Sequence, residues 1–182
     1  SFLHVMPNGL NNPDDPTQAG WGGCHQFGIS PDRETYAWTN WQQPLKDISD
    51  HYEHKFYPDE FNDFAARMQW ADTGSGNRNP VAVINGSQDL KPMELSAKNG
   101  QEIKLDASRS FDPDRDRLSF NWWFQKFPDE TVYPLISNPA SDRITVTLPD
   151  NSSGKTYHLV CEIHDNGPFN LTAYRRIIIT AE

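Results

Sequence analysis

The chain has 182 residues, 36% of them apolar, with a mean hydropathy of −0.76. Its 25 acidic residues against 16 Lys and Arg give a formal charge of −9, the wrong overall sign for a phosphate track along nucleic acid. No apolar run approaches the roughly 20 residues that span a bilayer, and 10 Phe, 6 Tyr and 6 Trp are too many for a disordered chain.

Nucleic acid and membrane are therefore not expected as partners. The chain opens at Ser1 rather than Met, so it is expected to be processed or cut from something larger. Cys24 and Cys161 are its only cysteines. Two cannot build a disulfide framework or a cysteine zinc site. They read as two free thiols with Cys161 in a core, a Cys24–Cys161 bridge being the alternative.

Residues 1–30 are punctuated by Pro7, Gly9, Pro13 and Pro16, then by Gly20-Trp21-Gly22-Gly23, which does not allow a regular element. A tryptophan between glycines needs a surface to lie against, here expected outside the chain. Residues 31–76 form an aromatic-rich, partly helical connecting segment with Trp38 and Trp41 near its start. Its helix is expected to begin at Pro58, a residue suited to a first turn, with Asp59 and Glu60 at the positive dipole end. Phe61, Phe64, Ala65 and Met68 then recur at i, i+3, i+4 and i+7 as the face to be buried. Asp72-Thr73-Gly74-Ser75-Gly76 ends it as a linker.

Residues 77–182 change period. Short β-rich runs at 81–84, 102–105, 118–124, 143–148, 157–163 and 172–180 are separated by Asn-Gly, Asp-Pro and Pro-Asp signals. Leu118, Phe120, Trp122 and Phe124 share one face; Tyr157, Leu159, Cys161 and Ile163 share another. Such strands without an intervening helical period predict a mainly β fold, a two-sheet antiparallel sandwich.

The run from Leu105-Asp106-Ala107-Ser108 through Asp112-Pro113-Asp114-Arg115-Asp116 to Trp122 resembles the signature of PKD-type immunoglobulin-like domains, LDAS-x-S-x-DPDGD-x-L-x-Y-x-W. Arg115 stands where Gly is usual, so the tight turn there is open to change. Pro7-Asn8-Gly9-Leu10, Gly20-Trp21-Gly22-Gly23 and Asn62 through Trp70 resemble the C-terminal half of a bacterial nucleoside-hydrolase-like, cellulose-binding family. The resemblance implies a secreted or periplasmic protein tied to a polysaccharide such as cellulose. It also implies that residues 1–30 are the tail of an upstream hydrolase-like domain acting in cis.

No catalytic residue is expected within the chain. The aspartate cluster with which nucleoside hydrolases hold calcium is absent, scattered carboxylates show no convergent pair, and no nucleophile elbow occurs. No cofactor is expected, with one exception to test. Asp112, Asp114 and Asp116, approached by Asp165, resemble half of a calcium loop; the competing reading is a turn whose aspartates cap N–H groups and pair with Arg115 and Arg117.

Two classes of function remain. One is a carbohydrate-binding accessory domain using Trp21, Trp38, Trp41 and Trp123 as flat faces for sugar rings; the other is a spacer that orients a hydrolase domain. Trp122 and Trp123 point to opposite faces of one strand. With Trp122 inward, Trp123 is either a sugar platform or the anchor for residues 31–76.

Overall fold

The computed structural model describes residues 8–30 and 32–182. Its centre is the expected sandwich. One sheet has the order β3–β9–β8–β5, from Met93–Ala97, Thr172–Ala181, Thr156–His164 and Ser119–Phe124. The facing sheet is β4–β7–β6, from Glu102–Asp106, Arg143–Thr147 and Leu135–Ser137. The alternating side chains meet between them. Leu105, Trp122, Ile144, Val146, Leu159, Cys161, Ile163, Ile177 and Ile179 are buried there, and the Trp122 indole N–H donates to the Ser141 carbonyl at 2.9 Å.

Three strand expectations change. Residues 81–84 make only isolated bridges, Val81 to Phe111 and Ile84 to Ser87. β3 and β6 take shape where no strand was predicted. β3 runs parallel to β9, Met93 opposite Ile177, so the sandwich is not wholly antiparallel. Two turns singled out from sequence take left-handed backbone. Asn85 and Gly86 both have positive φ, 48° and 82°, as a two-residue hairpin turn requires. Arg115 takes φ 72°, so the turn survives without its glycine.

A second core lies on the outer face of the four-stranded sheet, where Val160, Tyr174 and Trp123 meet a long helix and the N-terminal segment. α1 spans Leu45–Thr73, 29 residues, and begins thirteen residues before Pro58. Pro58 is solvent-exposed, and the backbone donor it removes leaves a carbonyl that water can reach. Gly74 closes the helix in the left-handed region, its N–H on the Trp70 carbonyl at 2.9 Å.

The buried face of α1 is not the expected one. Ser49, Tyr52, Phe56, Asp63 and Ala66 face the sheet, whereas Phe61, Phe64 and Met68 are 52%, 61% and 54% exposed. Burying aromatic Tyr52 and Phe56 on Trp123 leaves the other stripe, about 140° round the helix, in solvent.

The N-terminal segment also finds its surface within the chain. Leu10, Ala19, Trp21 and Cys24 are buried in the second core. Arg176, fully buried, clamps the segment: its guanidinium donates to the carbonyls of Leu10 at 2.6 Å and Ala19 at 2.9 Å and to Gln125 Oε1 at 2.7 Å. Burial pushes Arg176 down to about 9, and it stays charged at neutral pH. Cys24 and Cys161 are both free and buried, in different cores.

Candidate carbohydrate platform

Residues expected to be irregular form a hairpin, β1 (Gln26–Ile29) against β2 (Tyr36–Thr39). Its register sets Phe27 opposite Trp38 and Ile29 opposite Tyr36. Strand periodicity then places all four side chains on one face. That face is turned to solvent, with exposures of 57%, 36%, 71% and 49% for Phe27, Ile29, Tyr36 and Trp38. The rings of Phe27 and Tyr36, diagonal neighbours, stack at 6.1 Å between centroids and 26° between planes. Trp38 meets Phe27 edge-on at 5.7 Å. Trp41, just beyond β2, is 66% exposed.

The base of the hairpin is fixed to α1 by one side chain. Ser49 Oγ, fully buried, accepts the Cys24 N–H at 3.1 Å ahead of β1 and the Asn40 amide at 2.9 Å after β2. Gly23, at φ 75°, packs directly on Ser49, and a side chain there would collide with the helix. The far end is closed by Ser30, whose N–H donates to the Thr35 carbonyl at 2.7 Å and whose hydroxyl meets Thr35 Oγ1 at 2.8 Å. A rigid mount under an apolar face is what a sugar platform requires, since ordering the face costs nothing further on binding. Flat exposed rings of this kind can stack on apolar faces such as the C–H faces of pyranose rings.

The four tryptophans singled out from sequence thus separate. Trp38 and Trp41 are exposed. Trp21 is 6% exposed and donates its indole N–H to the Tyr174 hydroxyl at 3.2 Å; its surface is this chain's own sheet, not an upstream domain. Trp123 lies beneath α1, stacked on Tyr52 at 5.5 Å, tilted against Phe56 at 5.9 Å, with the Lys55 ammonium 4.9 Å from its ring. It is positioned as the anchor of the helix, though Tyr52 and Phe56, not Phe61 and Phe64, engage it. Phe27 and Tyr36 were missed from sequence, although each alternates with its neighbour, Ile29 or Trp38.

Beside Trp123, a polar network joins helix to sheet. The Tyr174 hydroxyl donates to Asp59 Oδ2 at 2.5 Å, and Thr172 links Asp59 at 3.2 Å to His164 at 2.8 Å. Glu162, at 3.9 Å, holds the His164 imidazole above its usual range, and Glu162 also pairs with Lys55 at 2.7 Å. These groups are spent on each other, under the helix.

The aspartates of the 112–116 turn likewise serve the backbone. Asp112 Oδ1 accepts the N–H groups of Asp114 at 2.7 Å and Asp116 at 3.2 Å. Asp165 Oδ1 accepts those of Gly167 and Leu171, both at 3.0 Å, and its other oxygen takes the Asn77 amide at 2.8 Å. Asp114 pairs with Arg78 at 2.6 Å, where Arg115 and Arg117 were expected. Among the described residues no group of three or more His, Cys, Asp or Glu is arranged to hold a metal ion, and no helix is long and apolar enough to cross a membrane.

Comparison with known proteins places this architecture. Residues 102–181 match the C-terminal domain of cellulose-binding protein Sde0182. The whole chain is similar, at 34% identity and a TM-score of 0.82, to a nucleoside hydrolase-related protein from Saccharophagus degradans that is associated with carbohydrate metabolism. The similarity covers 100% of this chain but 46% of that one, so the chain spans about half the length of its relative. The PKD domain of KIAA 1837 protein aligns over 59% of the chain and 92% of its own length, at 24% identity and a TM-score of 0.38. No curated protein matches. Over residues 102–181, then, the sandwich is similar to the C-terminal domain of cellulose-binding protein Sde0182.

Proposed function

We propose that the chain is a non-catalytic accessory module that associates with a neutral polysaccharide such as cellulose, on the face formed by Phe27, Tyr36 and Trp38 and extended by Trp41. The observation that carries this reading is the solvent exposure of that aromatic face on a braced hairpin. Large apolar surfaces left in solvent mark interaction sites, and aromatic faces suit sugars. A net charge of −9 disfavours a polyanionic glycan and leaves a neutral one acceptable. The kinship of the sandwich to a cellulose-binding protein's C-terminal domain agrees in kind.

In this reading the module serves a larger, exported protein whose remaining part is nucleoside hydrolase-related, as in the Saccharophagus relative. Retention on insoluble cellulose tests it. The wild-type chain is retained, and Tyr36→Ala with Trp38→Ala elutes with an unchanged melting curve. Equal retention of both proteins rejects the platform; no retention of either leaves the spacer role.

A further inference from the structure

The hairpin that carries the aromatic face has a second face, and a groove runs along it. Gln26, Gly28, Ala37 and Thr39 point away from the side of Phe27 and Trp38. Two cavities adjoin there, of about 390 and 300 Å³, each large enough for a small organic ligand. Gln26, Leu45, Pro128 and Asp129 line both, so the two run into one another between β1, the start of α1 and the loop after β5. The walls hold polar groups that the fold does not use. Among the described residues, the side chains of Gln26, Gln42 and Asp129 make no hydrogen bond or ion pair. The Ser30 N–H bonds the Thr35 carbonyl, so alternation along the ladder turns the N–H and C=O of Phe27 and Ile29 to the free edge of β1. Both residues line the smaller cavity. Gly28 opens into it as well, yet the backbone does not require glycine there. Its φ lies outside the left-handed region, and a Cβ built on it meets nothing within 4 Å. Glycine inside a strand costs stability and marks places where a ligand or another backbone approaches closely.

We propose that this groove is a second glycan site, which takes a single neutral oligosaccharide chain along the free edge of β1. Amide side chains and a strand edge set donors and acceptors side by side, with the Asp129 carboxylate as a further acceptor. Hydroxyl groups both donate and accept, so a polyhydroxylated chain satisfies this mixture. A polyanion would meet the carboxylates of Asp129 and Glu130, and an apolar ligand would bury the amides and the strand edge without partners. Two adjoining cavities suit consecutive rings of one chain. That the chain is a glucan rests on the cellulose reading above; that it is a polyol rests on the groove alone. The two faces of the hairpin then divide the work: stacking on an insoluble surface in front, hydrogen bonding to one free chain behind.

Isothermal titration of the whole chain with cellotetraose is the test. Gly28→Val adds a β-branched side chain that suits a strand and stands in the open groove, so its urea midpoint equals or exceeds that of wild type. Gln42→Ala with Asp129→Ala removes free polar groups and leaves β1 untouched. Wild type is expected to bind cellotetraose, and more tightly than glucose. Both groove variants are expected to bind it about tenfold more weakly, the loss of one or two hydrogen bonds. Tyr36→Ala with Trp38→Ala is expected to bind it as wild type does. No binding by wild type at millimolar cellotetraose overturns the proposal, as does wild-type affinity in both groove variants. Loss confined to the Tyr36, Trp38 variant assigns the oligosaccharide to the platform and overturns it too. Equal affinity for glucose and cellotetraose rejects a chain, and self-association that Gly28→Val abolishes assigns the β1 edge to a second copy instead. Retention on insoluble cellulose is scored separately, so failure of the groove and failure of the platform are distinguishable.

Discussion

Trp123→Ala removes the side chain on which α1 is seated. The indole is half-buried, and burial of about 100–150 Å² at about 25 cal/mol per Å² contributes about 3 kcal/mol. Its stacking on Tyr52 and Phe56 adds about 0.5–1.5 kcal/mol per pair beyond area, and the Lys55 ammonium 4.9 Å from the ring adds about 0.5–1 kcal/mol. Against this, the Trp123 N–H is buried without a partner, and deleting it returns about 1–3 kcal/mol. The net expected loss is about 3 kcal/mol. In urea, with a slope of about 2 kcal/mol per M, the midpoint falls by about 1.5 M. Trp38→Ala, on the exposed hairpin face, costs less than about 0.5 kcal/mol and shifts the midpoint by less than about 0.25 M. A midpoint for Trp123→Ala indistinguishable from that of Trp38→Ala refutes the seating of α1 on the sheet.

Ser49→Ala leaves the Cys24 N–H without its acceptor and costs about 1–3 kcal/mol, read as a lower melting temperature with weakened cellulose retention. Acid stability reports on His158. Burial, then the Arg176 charge beside it, pushes its imidazole down to about 4. The unfolded chain takes up a proton below about 6.5 while the folded one does not. Stability is therefore full above pH 6.5 and declines by about 3 kcal/mol toward pH 4, and His158→Gln removes that part of the slope in denaturant midpoints against pH. Burial pushes the Cys24 thiol up to about 11 and Cys161 well above its ordinary range, so both react with a thiol reagent only on unfolding. Calcium at millimolar concentration leaves the melting temperature unchanged, because the aspartates of the 112–116 turn already hold N–H groups; a rise would assign a cation there.

The sandwich was legible because its strands alternate cleanly. Leu118, Phe120 and Phe124 assigned Trp122 inward and Trp123 outward, and no local rule competed. α1 was legible only in its second half. Its inward seam includes Ser49 and Asp63, polar residues made acceptable by hydrogen bonds to Cys24, Asn40 and Arg67, so apolar periodicity pointed to the unburied stripe. Pro58 reads as a first-turn residue by local preference, and packing against Trp123 overrides that preference.

β3 was missed because its partner β9 is about eighty residues away, and parallel pairing leaves no turn signal between them. Nothing local marks Arg176 as a core residue either. Three neutral acceptors from remote segments make its burial possible, and these meet only in the fold. The platform itself was half legible: Trp38 and Trp41 stood out as surplus tryptophans, while Phe27 and Tyr36 joined them only through the register of a hairpin with no recognisable turn.

The most direct test is retention on insoluble cellulose of the wild-type chain beside a Tyr36→Ala, Trp38→Ala variant, with urea midpoints measured on the same preparations. The account predicts retained wild type, an eluted variant and equal midpoints. Equal retention of the two proteins at equal stability would contradict it.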